Sequence, residues 1–236
     1  MIEVHMKFRL LPETLYLCVN IIDRYLSLKE VPRNKLQLVG VTALLVACKY
    51  EEIYPPEVKD CVYITDRAYT RQDVLDMEAE VVKTLKFSLT VPTAHPFLQR
   101  FLHITDASST VRNLANYYME RMLQEHSALK FKPSLLAATA VCLAHNNPDR
   151  FDHEGYTAED ELPPKFPPTL LEYSGFREEE IKEAAVLMEA KVGDLGASAR
   201  SRELVAVRRK YEANRYESVA DTECFTNPKA SHLDTP

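Results

Sequence analysis

Lys49, Tyr50, Glu51 and Glu52 stand at the end of an apolar helical run and just ahead of Pro55-Pro56. This arrangement fixes charge in space but does not run a reaction. Neighbouring helical residues point about 100° apart, so Glu51 and Glu52 cannot flank one substrate as an acid and base pair. The seven histidines (His5, His95, His103, His126, His145, His153, His232) show no HExxH or similar ligand spacing. No glycine-rich phosphate loop and no Ser/His/Asp order stands out. Five widely spread cysteines (Cys18, Cys48, Cys61, Cys142, Cys224) lie mostly in apolar runs, which reads as reduced packing residues rather than a disulfide frame or a zinc site. The expectation is a protein with no catalytic residue, no metal and no cofactor, whose charged platform faces a partner.

The elements that must position that platform are helices. Only five glycines occur in 236 residues, prolines sit mainly between periodic segments, and apolar residues recur at three- and four-residue spacing. Pro12 opens a helix through about Leu28, with Leu15, Val19, Ile22 and Leu26 on one face. Pro32 opens the next, which ends near Glu52. That run is apolar over most of its circumference, as suits a helix enclosed by others. A short helix is predicted at about Glu57 to Val62 and a longer one from Thr70, with Val74, Met77, Val81, Val82 and Leu85 as its buried stripe.

The second half repeats the first. A shift of 97 positions lays Ile22-Asp23-Arg24-Tyr25-Leu26 on Met119-Glu120-Arg121-Met122-Leu123, Lys35 on Lys132, Thr42-Ala43 on Thr139-Ala140, and Gly40 on Ala137. A small residue at Gly40 lets a neighbour approach the hub helix closely. The predicted domains are residues 1–91 and 92–218. The second carries an acidic, proline-rich insert at about 147–168, predicted to be a surface loop, with helices resuming at Thr169 and Glu178. A basic helix bearing Arg202, Arg208, Arg209 and Lys210 continues to about Tyr216, and 219–236 is predicted to be a flexible tail.

With 46% hydrophobic residues the chain can bury a substantial core, and its net charge of −6 argues against nucleic acid as a partner. No apolar run reaches the roughly 18 residues needed to cross a bilayer, so no membrane partner is expected.

VHMKFRLLPETLYL (Val4 to Leu17), NIIDRYL (Asn20 to Leu26), KLQLVGVTALLVACKYEEIYPP (Lys35 to Pro56) and YTRQDVLDMEAEVVKTLKFSL (Tyr69 to Leu89) resemble the cyclins, the first of them most like B-type mitotic cyclins. The likeness is strong over Glu3 to Pro92 and looser from Thr93 to Val219. It implies an all-α fold of two tandem five-helix cyclin boxes, the first missing most of its first helix. It also implies a non-catalytic regulatory subunit that activates a cyclin-dependent protein kinase in G2 and mitosis, in the nucleus and cytoplasm. Truncated non-activating relatives and the B-type general transcription initiation factors, which share paired boxes but need a basic face, are the alternatives.

Residue by residue, the resemblance assigns kinase binding to Lys49 and Glu78, flanked by Tyr50, Glu51, Glu52, Val82, Phe87 and Leu89. It assigns a groove for docking-motif substrates and inhibitors to Glu3, Arg33, Leu36 and Gln37. The chain has no tryptophan, so the groove lacks the tryptophan that the family carries just upstream. Asp23 likewise lacks the upstream arginine that pairs with it in the family. It is expected to find another donor, such as Arg24, or to weaken the first box. Met1 is therefore expected to begin a fragment or to be a misplaced start. One inference needs no family label. The shift lays Lys49 on Asn146 and, after allowance for the insert, Glu78 on about Ala185, so the charged pair exists in the first half alone. That asymmetry favours a partner contact over a requirement of the fold.

Overall fold

The computed structural model describes residues 1–147, 166–193 and 204–221. It divides into two compact units, Met1–Thr93 and Ala94–Pro236. Among the described residues every regular element is helical, as expected of an all-α chain. The first unit contains α1 (Ile2–Phe8), α2 (Pro12–Leu28), α3 (Leu36–Glu51), α4 (Val58–Ile64) and α5 (Arg71–Thr84). The second contains α6 (Ala94–Ile104), α7 (Ser109–Met122), α8 (Pro133–His145), α9 (Pro168–Ser174), α10 (Glu178–Val192) and α11 (Ala206–Tyr211).

The predicted repeat is visible in where the helices begin. Pro12 and Ser109, which open α2 and α7, lie 97 positions apart, as do Leu36 and Pro133, which open α3 and α8. α5 and α10 start 107 positions apart, at Arg71 and Glu178, which is the same shift plus the insert. α1, at seven residues, falls on the later part of the eleven-residue α6. Proline at the start of α2 and α8 fits the first turn, where an N–H would find no partner in the helix. The run predicted to open at Pro32 begins instead with a 3-10 turn over Arg33–Lys35 before α3 starts at Leu36. Such a turn commonly leads into an α-helix.

In each unit one helix is enclosed by the others. Every residue of α3 from Leu38 to Cys48 is buried, with α2 and α5 against it and α4 against α5. α8 is buried from Leu135 to Ala144 among α6, α7 and α10. Neither hub has a solvent-facing stripe, because its sequence is apolar or small all round until the last turn. Gly40 has the role expected of a small residue. A Cβ there would stand 3.3 Å from Sδ of Met1, so the start of the chain rests on the hub. The thiols of Cys18, Cys48, Cys61 and Cys142 are free and buried. Burial pushes Cys18, Cys48 and Cys142 up to about 12 and Cys61 to about 11, which makes them packing groups rather than nucleophiles. Cys224 and most of the 147–168 insert lie outside the described residues.

The end of the second unit departs from expectation. Of the residues of the helix predicted to be basic, Arg202 lies outside the described residues and Arg209 is exposed, but Lys210 is buried and its Nζ donates to Oε1 of Glu120 on α7 at 2.5 Å. The Tyr211 hydroxyl donates to the same oxygen at 2.8 Å, and Arg208 pairs with Glu212 at 2.8 Å. The region predicted as tail also begins inside the fold. Val219 and Ala220 are buried, and Glu217 accepts hydrogen bonds from Ser109 Oγ (2.5 Å) and Thr110 Oγ1 (2.7 Å) at the start of α7. The polar composition of the tail hid these anchors, because two small apolar residues are enough to seat it.

Two substitutions probe these contacts. Lys210→Met leaves a buried carboxylate without its cation and should cost about 3–5 kcal/mol, read in denaturant unfolding. Gly40→Ala should be neutral or raise stability by up to about 1 kcal/mol, since alanine favours a helix interior and the Met1 thioether can shift.

Candidate partner-binding site

The approach to Pro55-Pro56 ends α3. Glu52 takes an extended backbone there (φ −96°, ψ 142°), three residues before the first proline. The hub's charged last turn therefore emerges at the surface. Lys49 Nζ donates to Glu78 Oε1 at 2.5 Å, with Lys49 about half exposed and Glu78 largely covered. Glu78 is placed by α5, whose neighbouring Val74, Met77 and Val81 are buried against the hub. The Tyr50 hydroxyl meets Thr90 Oγ1 at 2.5 Å, so the segment after α5 is tied to the end of α3.

Phe87 reaches the surface through backbone geometry. Lys86 and Phe87 both take left-handed conformations (φ 52° and 58°), and Phe87 N–H donates to the Val82 carbonyl at 3.0 Å. The ring is 71% exposed, while Val82 and Leu89 lie partly buried against the core below it. Arg24 of α2 holds this segment by donating to the Ser88 carbonyl at 2.9 Å. The repeat reuses the device in the second unit, where Arg121, 97 positions on, donates to the Lys191 carbonyl at the end of α10, also at 2.9 Å. Arg24 was legible as a repeated residue, but its carbonyl partner was not.

The structure thus brings Lys49, Tyr50, Glu78, Val82, Phe87 and Leu89 together, and gives the two acids a different task. Glu52 serves the fold. Its Oε1 accepts from Leu11 N–H at 2.7 Å and from the buried Thr14 hydroxyl at 2.6 Å, capping α2 from 41 residues away. A carboxylate is favoured there because the orphan N–H groups and the helix dipole make the end positive. Glu51 is partly buried, and its carboxyl is raised above the usual range by that burial and then by Glu13 and Glu52. Two residues that the sequence reading missed, Ile53 and Tyr54, are 86% and 91% exposed. Their signal was two large apolar side chains set between charge and a double proline.

Asp23 is partly buried and has an interaction partner, in line with the expectation that it finds another donor, while Arg24 is engaged with Ser88 and Asn20. Its repeat counterpart, Glu120, is the acid that is buried and paired. Glu3, Arg33, Leu36 and Gln37 are all exposed, and no hydrogen bond or ion pair links them among the described residues.

The family described as "Cyclin, N-terminal domain" matches residues 1–90 and that described as "Cyclin, C-terminal domain" matches 92–224. The chain belongs to the cyclin family. Among its relatives are B-type members. It is 42% identical over 225 residues to Cyclin-B2-1 of Arabidopsis thaliana, covering 94% of this chain and 48% of the relative. It is 40% identical over 227 residues to G2/mitotic-specific cyclin-2 of Medicago sativa, covering 95% and 64%. The chain spans about half the length of the curated relatives it matches. A viral cyclin from herpesvirus saimiri shares the fold, with a TM-score of 0.67, 17% identity and coverage of 82% of this chain and 81% of that one.

Glu52→Gln should lower stability by about 1 kcal/mol in thermal unfolding, because the amide caps α2 without the charge. Glu51→Gln should act the other way at pH 7. A carboxyl raised in the folded state favours folding as it protonates, so its ionised form opposes folding at neutral pH. The advantage of the amide should shrink as pH falls through the raised value.

Proposed function

We propose that this chain is the regulatory subunit of a cyclin-dependent protein kinase, binding and activating it in G2 and mitosis through the end of α3 and the segment after α5. The observation that carries this reading is the Lys49–Glu78 pair, in a unit that also exposes Tyr50, Ile53, Tyr54 and Phe87, with no counterpart at the repeat positions of the second unit among the described residues. There the repeat places Asn146, which caps α8, and Ala185, which is buried in α10. Aromatic and aliphatic anchors bordered by charge are a normal interface composition. As a fold element the pair adds little, since half-exposed ion pairs contribute at most about 1 kcal/mol.

The chemistry belongs to the partner. Protein kinases transfer phosphate only when their own active-site lysine pairs with a glutamate of a mobile regulatory helix. A surface that binds that helix in its active position shifts the kinase toward the competent state by the difference in affinity for the two positions. Lys49 donates to, and Glu78 accepts from, the backbone of the docked segment. Glu3, Arg33, Leu36 and Gln37 would contact docking-motif substrates and inhibitors, and the complex would act in the nucleus and cytoplasm.

Mixing the purified chain with a mitotic cyclin-dependent kinase and following phosphorylation of a histone substrate tests the proposal. Lys49→Ala, Glu78→Ala and Phe87→Ala should each weaken kinase binding by about tenfold or more while the melting temperature stays nearly unchanged. Unchanged binding with lost stability would refute the assignment, and binding without activation would identify a non-activating relative.

A further inference from the structure

We propose that Ser109 is a phosphorylation site, and that a phosphoryl group there unlatches residues 214–221 from the start of α7. The latch lies wholly within the second unit, and nothing in it depends on the kinase reading.

The second unit is closed by a strap that follows α7 backwards. Lys210 and Tyr211 of α11 reach Glu120 near the end of that helix, and the Tyr211 ring lies 5.5 Å from that of Tyr117, one turn earlier. Glu217 reaches the opposite end, where its carboxylate oxygens accept from Ser109 Oγ at 2.5 Å and Thr110 Oγ1 at 2.7 Å. A 3-10 turn over Val219–Asp221 then packs on α7, with Val219 and Ala220 buried.

The two attachments are unequal. Glu120 is buried and neutralised by a cation, whereas the hydroxyls that hold Glu217 are neutral and Ser109 is exposed. The turn at the second attachment is also strained. Glu217 and Ser218 both take left-handed conformations (φ 57° and 50°), where residues with a Cβ are disfavoured. Glu217 N–H to the Asn214 carbonyl (2.9 Å) and Ser218 Oγ to the Glu212 carbonyl (3.1 Å) shape the turn from within. The Glu217 carboxylate is what ties it to α7.

A phosphoryl group on Ser109 acts on that carboxylate directly. The Ser109 oxygen attacks the γ-phosphorus of ATP, and the new O–P bond forms as the bond to the β,γ-bridging oxygen breaks. ADP leaves, and the hydroxyl proton passes to the base of the serine/threonine protein kinase that performs the transfer. A donor is thereby replaced by a group of charge about −1.5 to −2 that at full ionisation only accepts, so Glu217 is repelled where it was held. The same charge suits the start of α7, because the orphan N–H groups and the helix dipole favour anions there. The helix keeps its place while the turn leaves, and release stops at α11 because Lys210 stays buried against Glu120. Ser109 is the first residue of α7, so a kinase needs only to fray the first turn to reach it.

Amide hydrogen exchange on the full chain, with Ser109 converted to phosphoserine and in Ser109→Asp and Ser109→Ala, tests the latch. The phosphorylated chain and Ser109→Asp should exchange about tenfold or more faster over 214–221, with α7 and α11 unchanged. Ser109→Ala removes one hydrogen bond without adding charge and should change that exchange by only about twofold. Adding Glu217→Lys to Ser109→Asp should restore slow exchange, because an ion pair replaces the repulsion. Incubation with ATP and an extract of dividing cells should place phosphate on Ser109, read by mass spectrometry, and Ser109→Ala should lose that mark. No phosphate at Ser109, equal exchange in Ser109→Asp and Ser109→Ala, no rescue by Glu217→Lys, or faster exchange spread through α7 and α8 would each overturn the proposal.

Discussion

Everything in the first unit depends on a helix that cannot face water. From Leu38 to Cys48, α3 has no polar side worth exposing, so its neighbours must enclose it, and the lone hydroxyl of Thr42 is buried with the rest. Such a helix stabilises the unit by apolar burial on all sides rather than along one stripe. It also settles where charge can go. The last turn is the first place where Lys49, Tyr50 and Glu51 can reach solvent, and the double proline keeps the chain from continuing as helix. The proposed partner-facing surface is the outlet of the most buried element.

The two units show the same scaffold put to different ends. In both, an arginine late in the second helix reaches a backbone carbonyl at or shortly after the end of the fifth. Around that shared staple the acids diverge. Asp23 stays partly exposed, whereas Glu120 is buried and neutralised by Lys210 from α11, so the second unit uses a chain extension to close its own fold. The first unit has its unmatched charge at Lys49 and Glu78, where a partner can reach it.

Much of this was legible in the sequence because it depends on periodicity. The helix starts at Pro12, Arg71 and Glu178, the enclosed hubs and the 97-residue repeat all derive from apolar spacing and proline placement. The interactions that were misread are long-range and polar. Nothing local marks Glu52 as the cap of a helix that begins 40 residues earlier, and nothing in Arg208-Arg209-Lys210 shows which cation turns inward. A buried ion pair needs two segments to meet, and spacing along one segment cannot report it. Ile53 and Tyr54 were overlooked for a different reason: large apolar residues are taken as core unless the fold shows otherwise.

The left-handed pair at Lys86 and Phe87 has a consequence for how a partner would be met. Phe87 is held outward by main-chain hydrogen bonds and by Arg24's grip on Ser88, not by packing of its own ring. The backbone that carries the aromatic anchor is thus already fixed before any encounter, and association would lose little main-chain freedom at that position. A surface built this way takes on its backbone strain during folding rather than when a partner arrives.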